Sequence, residues 1–152
     1  MMARWKTRLL GFALALLTTT LSGSLIQTQV NLAAIAALGA EVSLAMRLAT
    51  SAQDLVGFAP LYAAMVAVAL AGALPLAALS RRWLPLPAGM RFALAAALGL
   101  WLAFVVADLL APMPTLIAAT RSLAGTLAML GGAALGGFLY TRYTCCRVGR
   151  GS

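Results

Sequence analysis

The side chains that could do chemistry are few, and their types exclude most catalytic and metal sites. The 152-residue chain has no histidine and three acidic residues, Glu41, Asp54 and Asp108. Neither a histidine-ligated metal nor a Ser-His-Asp triad can form, and three carboxylates are too few for a carboxylate-rich metal cage. The cysteines, Cys145 and Cys146, are adjacent and lack the C-x-x-C spacing of dithiol redox sites. The sequence therefore predicts no catalytic residue, no bound metal and no cofactor.

Asp108 is the strongest single candidate for function. It lies near the end of an otherwise apolar stretch, where a carboxylate is costly and is by default a candidate functional group. The sequence favours a structural ion pair with Arg121, across a turn that contains Pro112 and Pro114, with Arg47 as the other partner. The alternative hypothesis is a proton-binding or substrate-binding carboxylate, and with it a membrane enzyme that uses Asp108.

Three amide side chains lie at the start of the long connection between the first two apolar stretches. Gln27 and Asn31 are four residues apart and share one face of a helix, whereas Gln29 points elsewhere. The favoured interpretation is that these amides satisfy backbone groups where the helix ends. The alternative is a ligand pocket at the mouth of a helical bundle, formed by Gln27, Asn31, Arg47, Asp108 and Arg121.

The elements that position these residues are membrane helices. The chain is 63% hydrophobic and 9% charged, whereas soluble domains average about 45–50% apolar and about 25% charged residues. Four stretches approach the roughly 20 residues that a helix needs to cross a bilayer, and they are apolar on every face, which excludes transmembrane β-strands. The sequence predicts one all-α transmembrane domain over residues 1–152, a four-helix bundle with spans at 9–26, 56–79, 90–110 and 122–140 and a tail at 141–152.

The distribution of charge predicts the orientation of these spans. Nine of the 11 basic residues flank the spans on one side, with no acidic residue among them. The positive-inside rule then places both termini in the cytoplasm, and an arginine-rich, alanine-rich composition favours a bacterial inner membrane. The basic residues are split among three segments and form no single patch for nucleic acid. They are Arg4, Lys6, Arg8, Arg81, Arg82, Arg91, Arg142, Arg147 and Arg150.

A cleavable secretory signal is the alternative interpretation of the first span. Residues 1–8 form a basic region, residues 9–17 an apolar region, and Ser22, Gly23 and Ser24 are small enough for cleavage. The apolar stretch continues through Ile26, which favours a membrane span.

Residues 27–55 join the first two spans and resemble neither a loop nor a span. Helix connections need about 2–8 residues, and this one is both longer and apolar. The pattern predicts a helix at 31–38 that Gly39 stops and an amphipathic helix at 41–50. We expect a helical hairpin that lies in the outer membrane interface or enters it as a re-entrant segment.

The end of this connection carries a helix-start pattern. Ser51, followed three residues later by Asp54, matches a capping box, which predicts that Asp54 caps the second span. Pro60 fits the first turn of that span.

Small residues recur at four-residue spacing along the last two spans. Such stripes allow helix backbones to approach closely, either inside the bundle or in an oligomer. The candidate packing residues are Ala124, Ala128, Gly132 and Gly136 in the fourth span, with Gly99 and Ala103 in the third.

The sequence favours a non-enzymatic accessory, assembly or scaffold subunit of the membrane, because its spans contain almost no ionisable groups. One alternative is a small transporter or lipid-handling protein with a pocket at the outer leaflet. The other is the membrane enzyme that uses Asp108. The expected partners are membrane lipid and another membrane protein or a second copy of the chain, with no nucleic acid.

Overall fold

The chain folds into helices joined by short turns. The computed structural model describes residues 2–110 and 117–148, and these ranges contain five α-helices and no strand. Four of the helices are long and apolar enough to cross a membrane, which confirms the predicted all-helical class. The helices are α1 (Met2–Ala37), α2 (Leu44–Gly57), α3 (Ala59–Leu79), α4 (Ala88–Leu110) and α5 (Leu123–Val148), with short 3-10 helices at Ser80–Arg82 and Ala118–Arg121.

Helix α1 extends well beyond the predicted span at 9–26. It has 36 residues and a length of roughly 54 Å. The separate helix predicted at 31–38 is the last part of α1, because no glycine or proline interrupts the chain between Gly23 and Gly39. Gly39 stops the helix as predicted and has a φ of +91°, which a glycine adopts without strain. Helix α5 likewise continues past residue 140 to Val148.

Helix α2 starts where a side chain caps it. The Ser43 hydroxyl accepts a 3.2 Å hydrogen bond from the Met46 backbone N–H, so the helix begins at Leu44 rather than at residue 41. The predicted role of Asp54 as a cap of the second span is wrong, because Asp54 lies inside α2. The N-cap position of α3 is Phe58, which makes no side-chain capping bond, and Pro60 lies in the first turn of α3 as predicted.

The four long helices form a ring in which chain neighbours are antiparallel. Helix α1 packs against α5, α5 against α4, α4 against α3, and α3 against α1. The α1–α5 contact is the most extensive and the α1–α3 contact the least. The core between them is apolar and includes Leu70, Leu100 and Met129. One end of this ring, here called the basic end, holds the N-termini of α1 and α4 and the C-termini of α3 and α5. The opposite end, with α2, is here called the polar end.

Glycines set the spacing of the closest helix pairs. A Cβ at Gly136 would meet the Thr19 hydroxyl and lie 2.8 Å from the Ala15 carbonyl oxygen, both on α1. A Cβ at Gly132 would meet the Ser22 hydroxyl of the same helix. Gly99 of α4 faces α3, where a Cβ would lie 2.8 Å from the Ala73 Cβ. The other candidate packing residues are less enclosed: Ala103 is half-buried, and Ala124 and Ala128 are exposed.

Replacement of Gly136 tests this spacing. We expect Gly136→Ala to lower the free energy of unfolding by about 1–3 kcal/mol, because the added methyl group is forced against a backbone carbonyl. Gly131→Ala is the matched control, since a Cβ there has nothing within 4 Å. Thermal unfolding of both variants in detergent measures the difference. Equal melting temperatures for the two variants would contradict the close α1–α5 contact.

Candidate functional site

A partly buried hydrogen bond connects α1 to α2 at the polar end. The Thr28 hydroxyl lies 2.6 Å from a carboxylate oxygen of Asp54 and 3.0 Å from the Ser24 carbonyl oxygen one turn earlier. Thr28 is buried and Asp54 is half-buried. Asp54 thus holds α2 against α1 through a short hydrogen bond.

An amide on α1 makes the second connection between these helices. The Gln29 side-chain oxygen accepts a 2.8 Å hydrogen bond from the Arg47 guanidinium, and its nitrogen donates a 3.3 Å bond to the Ser51 hydroxyl. Ser51 donates in turn to the Arg47 carbonyl oxygen at 2.8 Å. Both hydrogen-bonding groups of the amide are used, so Gln29 and Arg47 have a clear structural role.

The remaining predicted ligand residues are dispersed. Gln27 accepts a 2.7 Å hydrogen bond from the Ala119 backbone N–H, so this amide satisfies a backbone group of the turn before α5. Asn31 is exposed, as are Asp108 near the end of α4 and Arg121 in the 3-10 helix. The connection between Asp108 and Arg121 includes residues 111–116, which lie outside the described residues, so the Asp108–Arg121 ion pair stays a prediction.

Hydroxyl side chains line the inner face of α1 on the N-terminal side of Gln27. Thr19, Thr20 and Ser24 are buried, and their hydroxyl oxygens have no hydrogen-bond partner among the described residues. The same holds for the hydroxyl of Tyr62 on α3, whose ring packs against Gly23. A polar group left without a partner in an apolar interior costs about 1–3 kcal/mol. These hydroxyl groups therefore form a polar strip along α1 within an otherwise apolar core.

A cleft of about 1320 Å³ opens at the basic end between α1 and α3, the least tightly packed pair of the ring. Its inner part is apolar and includes Phe12, Leu70 and Leu74. Arg8 and Arg81 line its outer part. The sequence analysis did not predict this cleft.

Arg91 forms part of the wall of this cleft and is held in place by backbone groups. Its Nε donates a 2.9 Å hydrogen bond to the Ala77 carbonyl oxygen, and its guanidinium lies 6.0 Å from the centre of the Phe92 ring. The residue is only 9% exposed. Phe92 stacks on Tyr140 of α5 with ring centroids 5.4 Å apart. The arginine is therefore a fixed positive group between α3, α4 and α5.

A second, smaller groove of about 920 Å³ follows the outer face of α3 and α4. Small residues such as Gly72, Ala73 and Gly99 form its floor, and larger ones such as Leu76 and Leu98 form its walls. None of the five predicted ligand residues lines this groove or the cleft at the basic end.

Comparison with protein-family models, with curated proteins and with solved structures found no match to this chain. Within the described residues, no group of three histidine, cysteine or acidic side chains is placed to hold a metal ion. Cys145 and Cys146 are exposed free thiols.

Replacement of Asp54 tests whether the Thr28–Asp54 contact holds α2. No residue of α2 is buried, so its position depends on hydrogen bonds more than on core packing. We expect Asp54→Ala to lower the free energy of unfolding by about 1–3 kcal/mol and to speed amide hydrogen exchange in α2. Asp54→Asn keeps an acceptor oxygen and should lower the free energy of unfolding by less. Gln53→Ala, at the exposed neighbouring position, is the control, and an effect of equal size there would contradict the role of Asp54.

Proposed function

We propose that this chain is an integral protein of a bacterial inner membrane, with four spans and both termini in the cytoplasm. We further propose that it is a non-enzymatic accessory, assembly or scaffold subunit that acts through helix packing. The observation that carries the proposal is the apolar groove between α3 and α4, which is long enough for a membrane helix of another protein.

The outward faces of the helices support membrane insertion. Large apolar side chains are exposed along every long helix, among them Leu17, Val68, Leu98 and Leu127. A soluble protein rarely exposes contiguous apolar surface of this extent. Six of the eight basic side chains that the structure describes lie at the basic end, and the positive-inside rule places that end in the cytoplasm. They are Lys6, Arg8, Arg81, Arg82, Arg91 and Arg142.

The orientation of α2 supports a hairpin at the outer membrane interface. Its polar residues Arg47, Ser51 and Asp54 face α1, whereas Leu44 and Val56 are 74% and 80% exposed. An amphipathic helix that turns its polar side toward the protein needs an apolar environment on its other side. The acyl boundary of the bilayer provides that environment.

The dimensions of the groove support a helical partner. It extends along α4 from Arg91 to Leu110, a distance of roughly 30 Å, which matches the hydrocarbon core of a bilayer. A floor of glycine and alanine between leucine walls allows the close backbone approach that drives helix association in lipid. The carboxylates offer no comparable support for an enzyme, because Asp54 is bound to Thr28 and both Glu41 and Asp108 are exposed.

Reporter fusions test the topology. Fusions after Arg8, Arg82 and Arg147 should all report the cytoplasm, and a fusion at Gly39 should report the outer side, because basic flanking residues stay on the cytoplasmic side. An outer-side signal from any of the first three positions would contradict four spans with cytoplasmic termini.

Photo-crosslinking in intact cells tests the groove. A photoreactive residue at Leu98, in the groove wall, should join the chain to one other membrane protein, whereas the same residue at Leu127 on α5 should not. Gly72→Leu should abolish that crosslink by filling the floor. Gly131→Leu should leave it unchanged, and a Cβ at either glycine has nothing within 4 Å, so neither substitution forces its Cβ against a neighbour.

Two results would contradict the accessory role. The first is a Leu98 crosslink formed only between copies of this chain, which would assign the groove to a homo-oligomer. The second is a crosslink that persists in Gly72→Leu at the level seen in Gly131→Leu.

A further inference from the structure

The charges around the cleft at the basic end are unbalanced. Arg8, Arg81 and Arg91 all line it, and the three acidic residues of the chain belong to other places. Glu41 lies in the connection before α2, Asp54 in α2 and Asp108 near the far end of α4.

Arg91 makes this imbalance costly. Arg91 is nearly buried, and its guanidinium donates hydrogen bonds to two carbonyl oxygens, that of Ala77 at 2.9 Å and that of Leu86 at 3.4 Å. Neutral carbonyl groups orient a guanidinium but carry no net negative charge. A buried charge without a counter-charge is destabilising, and an anion in the cleft would relieve that cost.

The shape of the cleft selects the kind of anion. Its lining runs from Leu70 in the middle of α3 to Arg81 in the 3-10 helix that follows α3, a depth of roughly 16 Å. Half of a hydrocarbon core of about 30 Å has nearly the same depth. The deep part is apolar, with Phe12, Leu70 and Leu74 as lining residues, and the arginines lie toward the mouth. A small soluble anion would occupy only the mouth of the cleft and would leave the apolar lining of the deep part uncovered.

Pro75 lies in the wall of the cleft, inside α3. Proline removes one backbone hydrogen bond from a helix and bends it. The α1–α3 side is also the least packed of the ring. The bundle is therefore most open between α1 and α3.

We propose that this cleft binds one anionic phospholipid of the cytoplasmic leaflet. The phosphate diester lies among Arg8, Arg81 and Arg91, and one acyl chain fills the space between α1 and α3 down to Leu70. The choice of the cytoplasmic leaflet rests on the topology proposed above. The accessory function is tested separately, because the cleft opens between α1 and α3 and the partner groove lies between α3 and α4, and among the described residues the two share Arg91 alone.

Native mass spectrometry of the full chain in mild detergent tests the charged part. The protein is titrated with dioleoylphosphatidylglycerol and, separately, with zwitterionic dioleoylphosphatidylcholine. We expect the anionic lipid to bind preferentially and Arg81→Gln to weaken its binding about fivefold, the effect of one cationic group near a membrane surface. Arg82→Gln removes the same charge from the adjacent exposed residue, which does not line the cleft, and should bind as the unaltered chain does.

A bulky side chain tests the apolar part. Ala71 is exposed and lines the cleft, whereas Ala64 is exposed on the same helix outside it. Ala71→Trp should lose the anionic lipid with all arginines intact, and Ala64→Trp should retain it. Melting temperatures and elution volumes of both variants verify that they fold.

Three results would overturn the proposal. Equal loss of lipid in Arg81→Gln and Arg82→Gln would indicate diffuse surface attraction rather than a site. Undiminished lipid binding by Ala71→Trp would remove the acyl-chain contact. Displacement of the lipid by soluble glycerol phosphate at similar concentration would identify a free-anion site instead.

Discussion

The close contact between α1 and α5 is the constraint on which the rest of the bundle depends. Gly132 and Gly136 bring α5 so near to α1 that Ser22, Thr19 and the Ala15 backbone occupy the space of a methyl group. In lipid, apolar side chains gain nothing by leaving the solvent, so such van der Waals contact is the main attraction between helices. Helix α4 packs on the other side of α5, and α3 is held chiefly through α4. The α1–α3 side is left open as a consequence, and the cleft forms there.

The sequence was sufficient for the features that depend on local composition. The four long apolar helices, the stop at Gly39 and the first-turn position of Pro60 all follow from hydrophobic length and from the backbone limits of glycine and proline. The predicted end of the first helix was wrong because polar residues such as Gln27 and Asn31 do not break a helix that packs against other helices. The assignment of Asp54 was wrong because a capping pattern of two residues also occurs inside a helix.

The polar network and the cleft depend on distances between helices that no single stretch of sequence encodes. Thr28 and Asp54 are 26 residues apart in the chain and meet only because α2 folds back on α1. In the sequence, Arg8 and Arg81 indicate only the cytoplasmic side of the predicted spans. Their neighbouring residues do not distinguish them from Arg82, which lies outside the cleft. One signal was visible: a run of threonine and serine from Thr18 to Ser24 in the middle of an apolar stretch marks the inner face of α1.

The hydroxyl groups on that inner face have a consequence for biosynthesis. Helix α5, which packs against Thr19 and Ser22 of α1, follows α1 by roughly 100 residues, an interval of roughly 5–20 s at ordinary translation rates of about 5–20 residues per second. Throughout that interval Thr19 lacks the helix that encloses it in the folded bundle. Closure of the bundle therefore waits for the last helix. A chain truncated before Leu123 would leave this part of the inner face of α1 uncovered, even with α1 to α4 complete.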